Sequence, residues 1–208
     1  MQYDIGRLFG VIEIKQLLIA LFCLVFPSLG NSALYTIDSQ QSSLQFTWSY
    51  GGLSDDKGTA KSIHGVVHLN EAVPEQSDVR VSINVVDLKT DDPDTDAILQ
   101  SEGFFDAAKF PTITFVSDRI LQLDDGKNQM SGQLTMHGIT RPVTLDVFVS
   151  NDDRDALLAG RKTSITLNAQ TSINRTEFNM NDYAGFVADR VSITITAHLK
   201  KASTKPAK

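Results

Sequence analysis

Four histidines are the side chains best suited to hold a metal ion or to transfer protons near neutral pH. They are His64, His68, His137 and His198. On a helix, the four-residue spacing of His64 and His68 would place both imidazoles on one face. On a strand the two lie about 13 Å apart at ~3.3 Å per residue, too far to share one ion held ~2 Å from each nitrogen. Because the surrounding pattern favours a strand, we predict no metal site and no cofactor.

A group of aspartates has the composition of a calcium-binding loop. Its members are Asp91, Asp92, Asp94 and Asp96. An EF-hand needs glycine at the tight turn of the loop and a bidentate glutamate at its end, but Ala97 and Gly103 occupy those positions. We therefore interpret the aspartates as solvated groups at the start of a helix, where the helix dipole favours negative charge.

Sequence motifs for catalysis are absent, including Gly-x-Ser-x-Gly, His-Glu-x-x-His, the phosphate loop and the dinucleotide fingerprint. An enzyme built from dispersed residues stays an alternative, because such sites are recognised by geometry. His137, Arg175 and Asp106 would be its first candidates. For His137 we expect a hydrogen bond to backbone across the connection 138–142, with a ligand head group as the alternative partner. For Arg175 we expect an ion pair with Glu177 or contact with an anionic head group.

Strands must position these residues, because the dominant pattern has a period of two. Apolar and polar side chains alternate over residues 44–49, 79–85, 143–149, 165–169 and 191–196. Further strands are predicted at 63–69, 112–123 and 130–137. Such alternation places the apolar members on one face of each strand. About eight one-faced strands predict an all-β sandwich or a closed antiparallel barrel.

One short helix and two tight connections complete the predicted elements. The helix covers residues 94–101, follows Pro93 and has acidic residues in its first turn. Residues 124–128 are expected to form a hairpin loop. The second connection is 138–142, where Pro142 should not occupy a central ladder position.

The N-terminal residues 1–33 are interpreted as a signal peptide. Lys15 precedes an apolar run, 17–29, that is short for a membrane span, and small residues suit cleavage after Ala33 or after Ser32. An uncleaved anchor is the alternative. The only cysteine, Cys23, lies in this segment, so the mature chain would have no disulfides. We predict a periplasmic protein with one domain over 34–200 and a disordered tail over 201–208.

The net charge constrains the partners of the chain. It is −6, with hydrophobic residues making up 41% of the sequence. An acidic surface argues against nucleic acid as a partner, since nucleic-acid binding needs clustered cations. It also offers no attraction to anionic lipid head groups. We expect no stable membrane insertion of the mature chain, and a homodimer is a candidate assembly.

Three motifs resemble those of the YceI-like family. The first is Phe-Phe-Asp at 104–106 followed by Phe-Pro-Thr-Ile-Thr-Phe-Val-Ser at 110–117. The second is Gly-Gln-Leu-Thr-Met-His-Gly-Ile-Thr-Arg-Pro-Val at 132–143. The third is Ile-Asn-Arg-Thr-Glu-Phe-Asn at 173–179, where Asn179 replaces the glycine usual in the family and is expected in the left-handed region. A second departure is the polar, glycine-rich segment 51–58, where relatives often have a longer hydrophobic stretch.

The resemblance implies an exported, lipocalin-like, eight-stranded antiparallel barrel with one short helix. It also implies a polyisoprenoid or another long-chain amphiphile as ligand. The residues on the apolar strand faces would point inward and contact such a ligand, while packing against each other as a filled core is the alternative. They are Phe46, Trp48, Ile83, Phe115, Leu134, Met136, Leu145, Leu167, Ile193 and Ile195.

The sequence and the resemblance together predict a lipid-binding or carrier protein without enzymatic activity. His137 and Arg175 are the candidate contacts to the ligand head group. Two alternatives stay open at this stage. One is an enzyme on the same barrel with a polar site at its mouth, and the other is a protein-interaction module with a filled barrel.

Overall fold

The computed structural model describes residues 32–52, 54–70, 73–123, 127–149, 153 and 163–202. Residues 1–31 of the predicted signal segment and 203–208 of the predicted tail lie outside these residues, whereas Ser32 and Ala33 are described. The strand segments are β1 (Ser32–Ile37), β2 (Ser43–Tyr50), β3 (Ser54–Ala60), β4 (Ile63–Asn70), β5 (Asp78–Asn84), β6 (Leu88–Thr90), β7 (Thr112–Gln122), β8 (Lys127–Met136), β9 (Ile139–Val149), β10 (Ser164–Asn174) and β11 (Arg190–Lys201). The described helix, α1, is Pro93–Gln100.

The segments form a closed antiparallel barrel. Eight of them make the ring in the order β1-β4-β5-β7-β8-β9-β10-β11, and β11 pairs back to β1. The other three continue the first ring strands: β2 also pairs with β11, β3 with β2, and β6 with β3. The described chain is therefore an up-and-down barrel of eight long strands, of which the first three are interrupted. Closure leaves no strand of the ring without a partner on either side, and the eight-stranded barrel predicted from the sequence is confirmed.

Inward-facing side chains pack into clusters along the barrel wall. One cluster includes Phe46, Ile83 and Leu99, and another includes Tyr35 and Leu199. The alternation read from the sequence produces this arrangement, because successive side chains of a strand point to opposite faces. The inner face is thus apolar over most of the length of the eight strand segments predicted from the sequence.

Helix α1 begins and ends within one residue of the predicted 94–101. Asp92 is its N-cap, and the Asp92 carboxylate accepts hydrogen bonds from the backbone N–H groups of Asp94 and Thr95. Pro93 occupies the first turn, where a missing N–H costs nothing. Leu99 is the buried residue of the helix, so α1 covers one end of the barrel through this side chain.

The connection predicted at 138–142 is shorter than expected. The turn consists of His137 and Gly138, both with positive φ (49° and 70°), between β8 and β9. This is the backbone of a two-residue hairpin turn with the twist that antiparallel strands require. Pro142 lies inside β9, opposite Gln133, so its placement in the loop was wrong.

Pro142 is tolerated in β9 because this half of the strand is paired on one side. Pairing of β9 with β10 is described for Asp146–Val149, whereas pairing with β8 extends over the whole hairpin. A proline without an N–H can occupy such an edge position. Barrel closure between β9 and β10 is therefore partial, and the Thr171 hydroxyl donates to the Thr144 carbonyl beyond the ladder.

Several sequence predictions concern the boundaries of the described chain. Residues 124–126 of the predicted hairpin loop lie outside the described residues, but β7 and β8 pair on both sides of it. Strand β11 extends through Lys201, and the Ala202 N–H donates to the Leu34 carbonyl at 2.7 Å. Within the residues described, no helix has the length and apolar character needed to span a membrane.

Candidate functional site

The barrel interior is a cavity of about 850 Å³. All ten residues predicted to face inward line it, namely Phe46, Trp48, Ile83, Phe115, Leu134, Met136, Leu145, Leu167, Ile193 and Ile195. The interior is therefore hollow, which the sequence left open. Contact of these ten residues with a ligand stays a prediction.

The cavity follows the strands from one end of the barrel to the other. On β11 it is lined at every second residue from Val191 to Leu199. One end, here called the Arg175 end, is lined by Tyr50, Asp56, Thr95, Tyr183 and Arg175. The opposite end, here called the Asn70 end, is lined by Asn70, Ser77, Gln122 and Asn128.

Arg175 is buried, with 4% of its surface exposed. Its guanidinium donates to four backbone carbonyls: Nη1 to Met180 at 2.5 Å and Asp182 at 2.8 Å, Nη2 to Val187 at 3.1 Å, and Nε to Ala188 at 3.3 Å. All four carbonyls belong to the loop between β10 and β11. The guanidinium thus ties this loop to the end of the barrel.

The surroundings of Arg175 are apolar on one side and acidic on the other. The guanidinium carbon lies 5.7 Å from the centre of the Phe104 ring, a cation–π distance. Burial lowers the pKa of the Arg175 guanidinium, while the nearby Asp189 and Asp182 oppose this effect. The expected ion pair with Glu177 is wrong, because the Glu177 carboxylate accepts from the Asn174 amide at 3.0 Å and Arg175 turns to the loop carbonyls.

Among the described residues that line the cavity, His137 and Asp106 are not included. The Nδ1 atom of His137 lies 2.9 Å from the Phe178 carbonyl, and its ring packs edge-on against Phe110. The expected hydrogen bond across the neighbouring connection is therefore wrong, since Phe178 is 41 residues away in the chain. Asp106 is buried, has a positive φ of 45° and pairs with Lys109 at 3.1 Å.

The third motif ends in a 3₁₀ turn, Arg175–Phe178, closed by Asn179. Asn179 has φ 62° and ψ 20°, so the predicted left-handed conformation is confirmed. The Asn179 N–H donates a hydrogen bond to the Thr176 carbonyl within this turn. This left-handed residue allows the chain to reverse and to wrap its carbonyls around the Arg175 side chain.

The described polar groups that line the Asn70 end are neutral. The Asn70 amide nitrogen donates to the Gln76 side chain at 3.0 Å, and its oxygen accepts from the Val73 N–H at 3.0 Å. The Asn70 N–H donates to the Ser77 hydroxyl at 2.9 Å. These bonds hold the 3₁₀ turn Pro74–Gln76 beside the end of β4.

The inner face of β3 was not predicted from the sequence. Its members Ser54, Asp56, Gly58 and Ala60 are small or polar, so they lack the apolar alternation that predicted strand segments elsewhere; β1 and β6 were also not predicted as strands. β3 pairs with β2 so that Gly58 is opposite Phe46 and Asp56 opposite Trp48. A β-carbon at Gly58 would collide with the Phe46 ring, so any other residue here would displace that ring.

The remaining candidates of the sequence analysis lie away from the cavity. His64 is exposed, and His68 pairs with Asp78 at 3.1 Å. The Asp96 carboxylate, within α1, pairs with Lys89 and accepts a hydrogen bond from the Thr90 N–H. Over the described ranges, no group of three or more histidine, cysteine, aspartate or glutamate side chains is arranged to hold a metal ion.

Known proteins resemble this chain in sequence and in fold. A UPF0312 protein of Vibrio vulnificus is 33% identical over 121 residues, 57% of this chain and 64% of the relative, so the chain spans just under two thirds of that relative's length. The structure of Burkholderia cenocepacia BcnA matches with a TM-score of 0.69 at 23% identity, over 78% of this chain and 98% of that one. A polyisoprenoid binding domain from Saccharophagus degradans implicated in plant cell wall breakdown matches with a TM-score of 0.58 at 14% identity, over 81% and 98%.

Both solved structures share the barrel fold. The YceI-like domain family matches this chain over residues 35–199, from the middle of β1 to near the end of β11. The match covers the three motifs and every described element of the barrel. The chain belongs to the YceI-like domain family.

Proposed function

We propose that this protein binds and carries a polyisoprenoid or a similar long-chain amphiphilic lipid, held inside the barrel. The observation that carries the proposal is the cavity of about 850 Å³ lined along the strands by apolar side chains. Burial of a hydrocarbon tail is favourable by ~0.8 kcal/mol per CH₂ group. A long tail would therefore bind through burial alone, without a charged contact.

The shape of the cavity favours a long, slender ligand. From Val191 to Leu199 the lining of β11 covers eight residue steps, about 26 Å along the strand at ~3.3 Å per residue. An eight-stranded barrel is just wide enough to enclose one ligand of small cross-section. A compact substrate would leave most of this apolar lining uncovered.

A structural relative and the N-terminal sequence pattern support the same proposal. One structural relative is named as a polyisoprenoid binding domain, and we extend that ligand class to this chain. Residues 1–33 have the pattern of a signal peptide, so we propose that the carrier acts in the periplasm. There it would keep a lipid tail out of water.

A binding role without catalysis fits the polar groups at the Arg175 end. The Arg175 guanidinium is engaged with loop carbonyls, His137 with the Phe178 carbonyl, and Asp106 with Lys109. Each of these three side chains therefore has a structural partner. We propose that the protein is not an enzyme.

The direct test is native mass spectrometry of the protein purified from the periplasm of its own cells. We expect a stoichiometric mass shift that denaturation releases as a prenyl or acyl lipid. Trp48, the one tryptophan of the chain, lines the cavity and stacks on Phe46 at 5.5 Å. Its fluorescence should therefore respond when such a lipid is added to the emptied protein.

A matched pair of variants separates binding inside the barrel from binding outside. Ala169→Phe places a ring in the cavity, whereas Gln170→Phe places the same ring on the outer face of the same strand. We expect Ala169→Phe to lose the lipid and Gln170→Phe to retain it, with both folded by circular dichroism. The proposal would be refuted by a purified protein that carries no lipid and whose Trp48 fluorescence does not change when prenyl or acyl lipids are added.

A further inference from the structure

The exposed aromatic side chains of the described chain all lie at the Arg175 end of the barrel. Tyr50 has 47% of its surface exposed, Tyr183 51% and Phe186 64%. Tyr50 is the last residue of β2, and the other two belong to the loop between β10 and β11. The exposed apolar side chains near the opposite end, such as Leu123, are aliphatic. The aromatic surface is therefore a property of one end only.

Backbone contacts bring these three aromatic residues into one surface region. The Gly51 N–H donates to the Phe186 carbonyl at 2.6 Å, and Tyr50 forms an antiparallel bridge with Val187. The N–H groups of Phe186 and Val187 both donate to the Tyr183 carbonyl at 3.0 Å. The tip of the loop is thus a tight turn joined to the end of β2. We call Tyr50, Tyr183 and Phe186 together the mouth patch.

The mouth patch is continuous with the apolar cavity. Tyr50 and Tyr183 line the cavity, as does Ile98 of α1, which is also exposed. The Tyr183 ring lies 6.1 Å from the ring of Phe104, a buried residue of the cavity wall. Phe186 is not among the lining residues. It therefore extends the apolar surface outward from the rim of the cavity.

Tyr183 has an uncommon backbone conformation. Its φ of 56° lies in the left-handed region, which bulky side chains rarely adopt. Such conformations persist where the surrounding structure enforces them, and they cluster at functional sites. A half-exposed aromatic ring gains little from burial in the fold. This combination favours contact between the ring and another molecule.

Charged side chains beside the mouth patch show no cationic excess. Segments 50–57 and 181–190 carry four carboxylates and two cations, namely Asp55, Asp56, Asp182, Asp189, Lys57 and Arg190. The buried Arg175 guanidinium adds a third cation behind them. Attraction to anionic lipid head groups or to nucleic acid would need clustered cations. A partner that binds here must therefore gain mainly from the aromatic side chains.

A neutral lipid bilayer matches this surface. Tyrosine favours the membrane–water interface, because its ring can contact acyl chains while its hydroxyl stays hydrated. Phenylalanine is among the residues that interfacial segments bury at the boundary of head groups and acyl chains. A long-chain lipid must also pass between a bilayer and the cavity, and a mouth in contact with the bilayer keeps the lipid tail out of water during this step.

We propose that the mouth patch docks this protein on the neutral surface of a phospholipid bilayer, with the cavity opening toward the membrane. Phe186 inserts at the acyl-chain boundary, and Tyr50 and Tyr183 lie at the level of the head groups. The contact is reversible, because three side chains bury little apolar area. Docking goes beyond the proposed function by assigning a surface outside the cavity, and its purpose rests on that function.

Co-flotation with phosphatidylcholine vesicles tests this docking, using the protein purified from the periplasm. We expect vesicle binding that salt does not abolish and that phosphatidylglycerol vesicles do not strengthen. Phe186→Ser should lower the partition onto vesicles about tenfold, the order of magnitude expected when burial of a phenylalanine side chain is lost. Leu123→Ser is the matched control, because it removes an exposed apolar side chain near the opposite end and should leave the partition unchanged.

Trp48 fluorescence separates docking from binding inside the barrel. Because Phe186 does not line the cavity, Phe186→Ser should still bind a long-chain lipid delivered in nonionic detergent. If vesicles bind through Phe186 but no lipid enters the cavity, the proposed function fails and the docking surface stands.

Three results would overturn the docking surface while leaving the proposed function intact. The first is the absence of binding to phosphatidylcholine vesicles, or binding to phosphatidylglycerol vesicles alone. The second is an equal loss of binding in Phe186→Ser and Leu123→Ser. The third is a dimer in sedimentation velocity that Phe186→Ser converts to a monomer while vesicles are not bound, since a second copy would then cover the mouth patch.

Discussion

The two ends of the barrel cavity are lined by different polar groups. At the Arg175 end, one buried guanidinium holds four carbonyls of a long loop, and α1 lies beside it with its capping aspartate. At the Asn70 end, one buried amide holds a short 3₁₀ turn through neutral hydrogen bonds. The apolar wall between them is continuous.

The difference shows how an apolar cavity can have a direction. Hydrocarbon lining cannot orient a ligand, because burial of apolar surface has no preferred direction. Orientation must come from polar groups at the ends. Here the charges are confined to one end, so a ligand with one polar head has different partners at the two ends.

Loss of the guanidinium should have the largest effect. We expect Arg175→Met to lower the free energy of unfolding by about 3–5 kcal/mol, since buried carbonyls lose charge-assisted hydrogen bonds. Urea unfolding followed by circular dichroism measures this change. Arg175→Lys should lose less stability, because an ammonium can still donate to some of the four loop carbonyls. A loss below about 1 kcal/mol in the methionine variant would show that the loop is held by other contacts.

The amide at the opposite end should matter less. Asn70→Ala is expected to lower the free energy of unfolding by about 1–3 kcal/mol, because it leaves the Val73 N–H and the Gln76 side chain without their partner. Asn128→Ala is the control at the same end, since its side chain has no described hydrogen bond, and it should change stability by at most about 0.5 kcal/mol. Equal losses in the free energy of unfolding for Asn70→Ala and Arg175→Met would contradict the expected difference between the two ends.

Acid should loosen α1 before the 3₁₀ turn Pro74–Gln76. A hydrogen bond from the Thr95 hydroxyl, with those from the Asp94 and Thr95 N–H groups, lowers the pKa of Asp92 from its ordinary 3.8. For Asp96, burial raises the pKa, but hydrogen bonds from Thr90 and Lys89 outweigh it and lower the pKa. Both carboxylates therefore stabilise the fold above pH 3.8, and this contribution is lost as the pH falls through the lowered folded values.

NMR tests this order by following the amide resonances of α1 and of the 3₁₀ turn at Pro74–Gln76 as the pH is lowered. The α1 amides should shift and lose protection at a higher pH than those of the turn. Asp92→Asn keeps a good cap without the ionisable group, so it should weaken the pH dependence at α1. Simultaneous loss at both ends would contradict the prediction.

Local patterns in the sequence determined the wall of the barrel and its helix. Period-two alternation identified ten inward-facing residues, because strand geometry is the same in any fold. The helix was predicted within one residue since its cap and proline act over a single turn. The motifs identified the family, and Asn179 was correctly placed in the left-handed region because its short polar side chain tolerates that conformation.

Only the tertiary structure decided what the interior and its ends are. β3 is a strand because β2 pairs with it, although its inner face of Ser54, Asp56 and Gly58 has no apolar pattern. His137 and Arg175 have partners supplied by other segments, which no local spacing could reveal. Whether the interior is filled or hollow depends on the summed volumes of side chains from all eight strands and on the width that barrel closure imposes. The sequence states which side chains face inward, but only closure of the barrel sets the space between them.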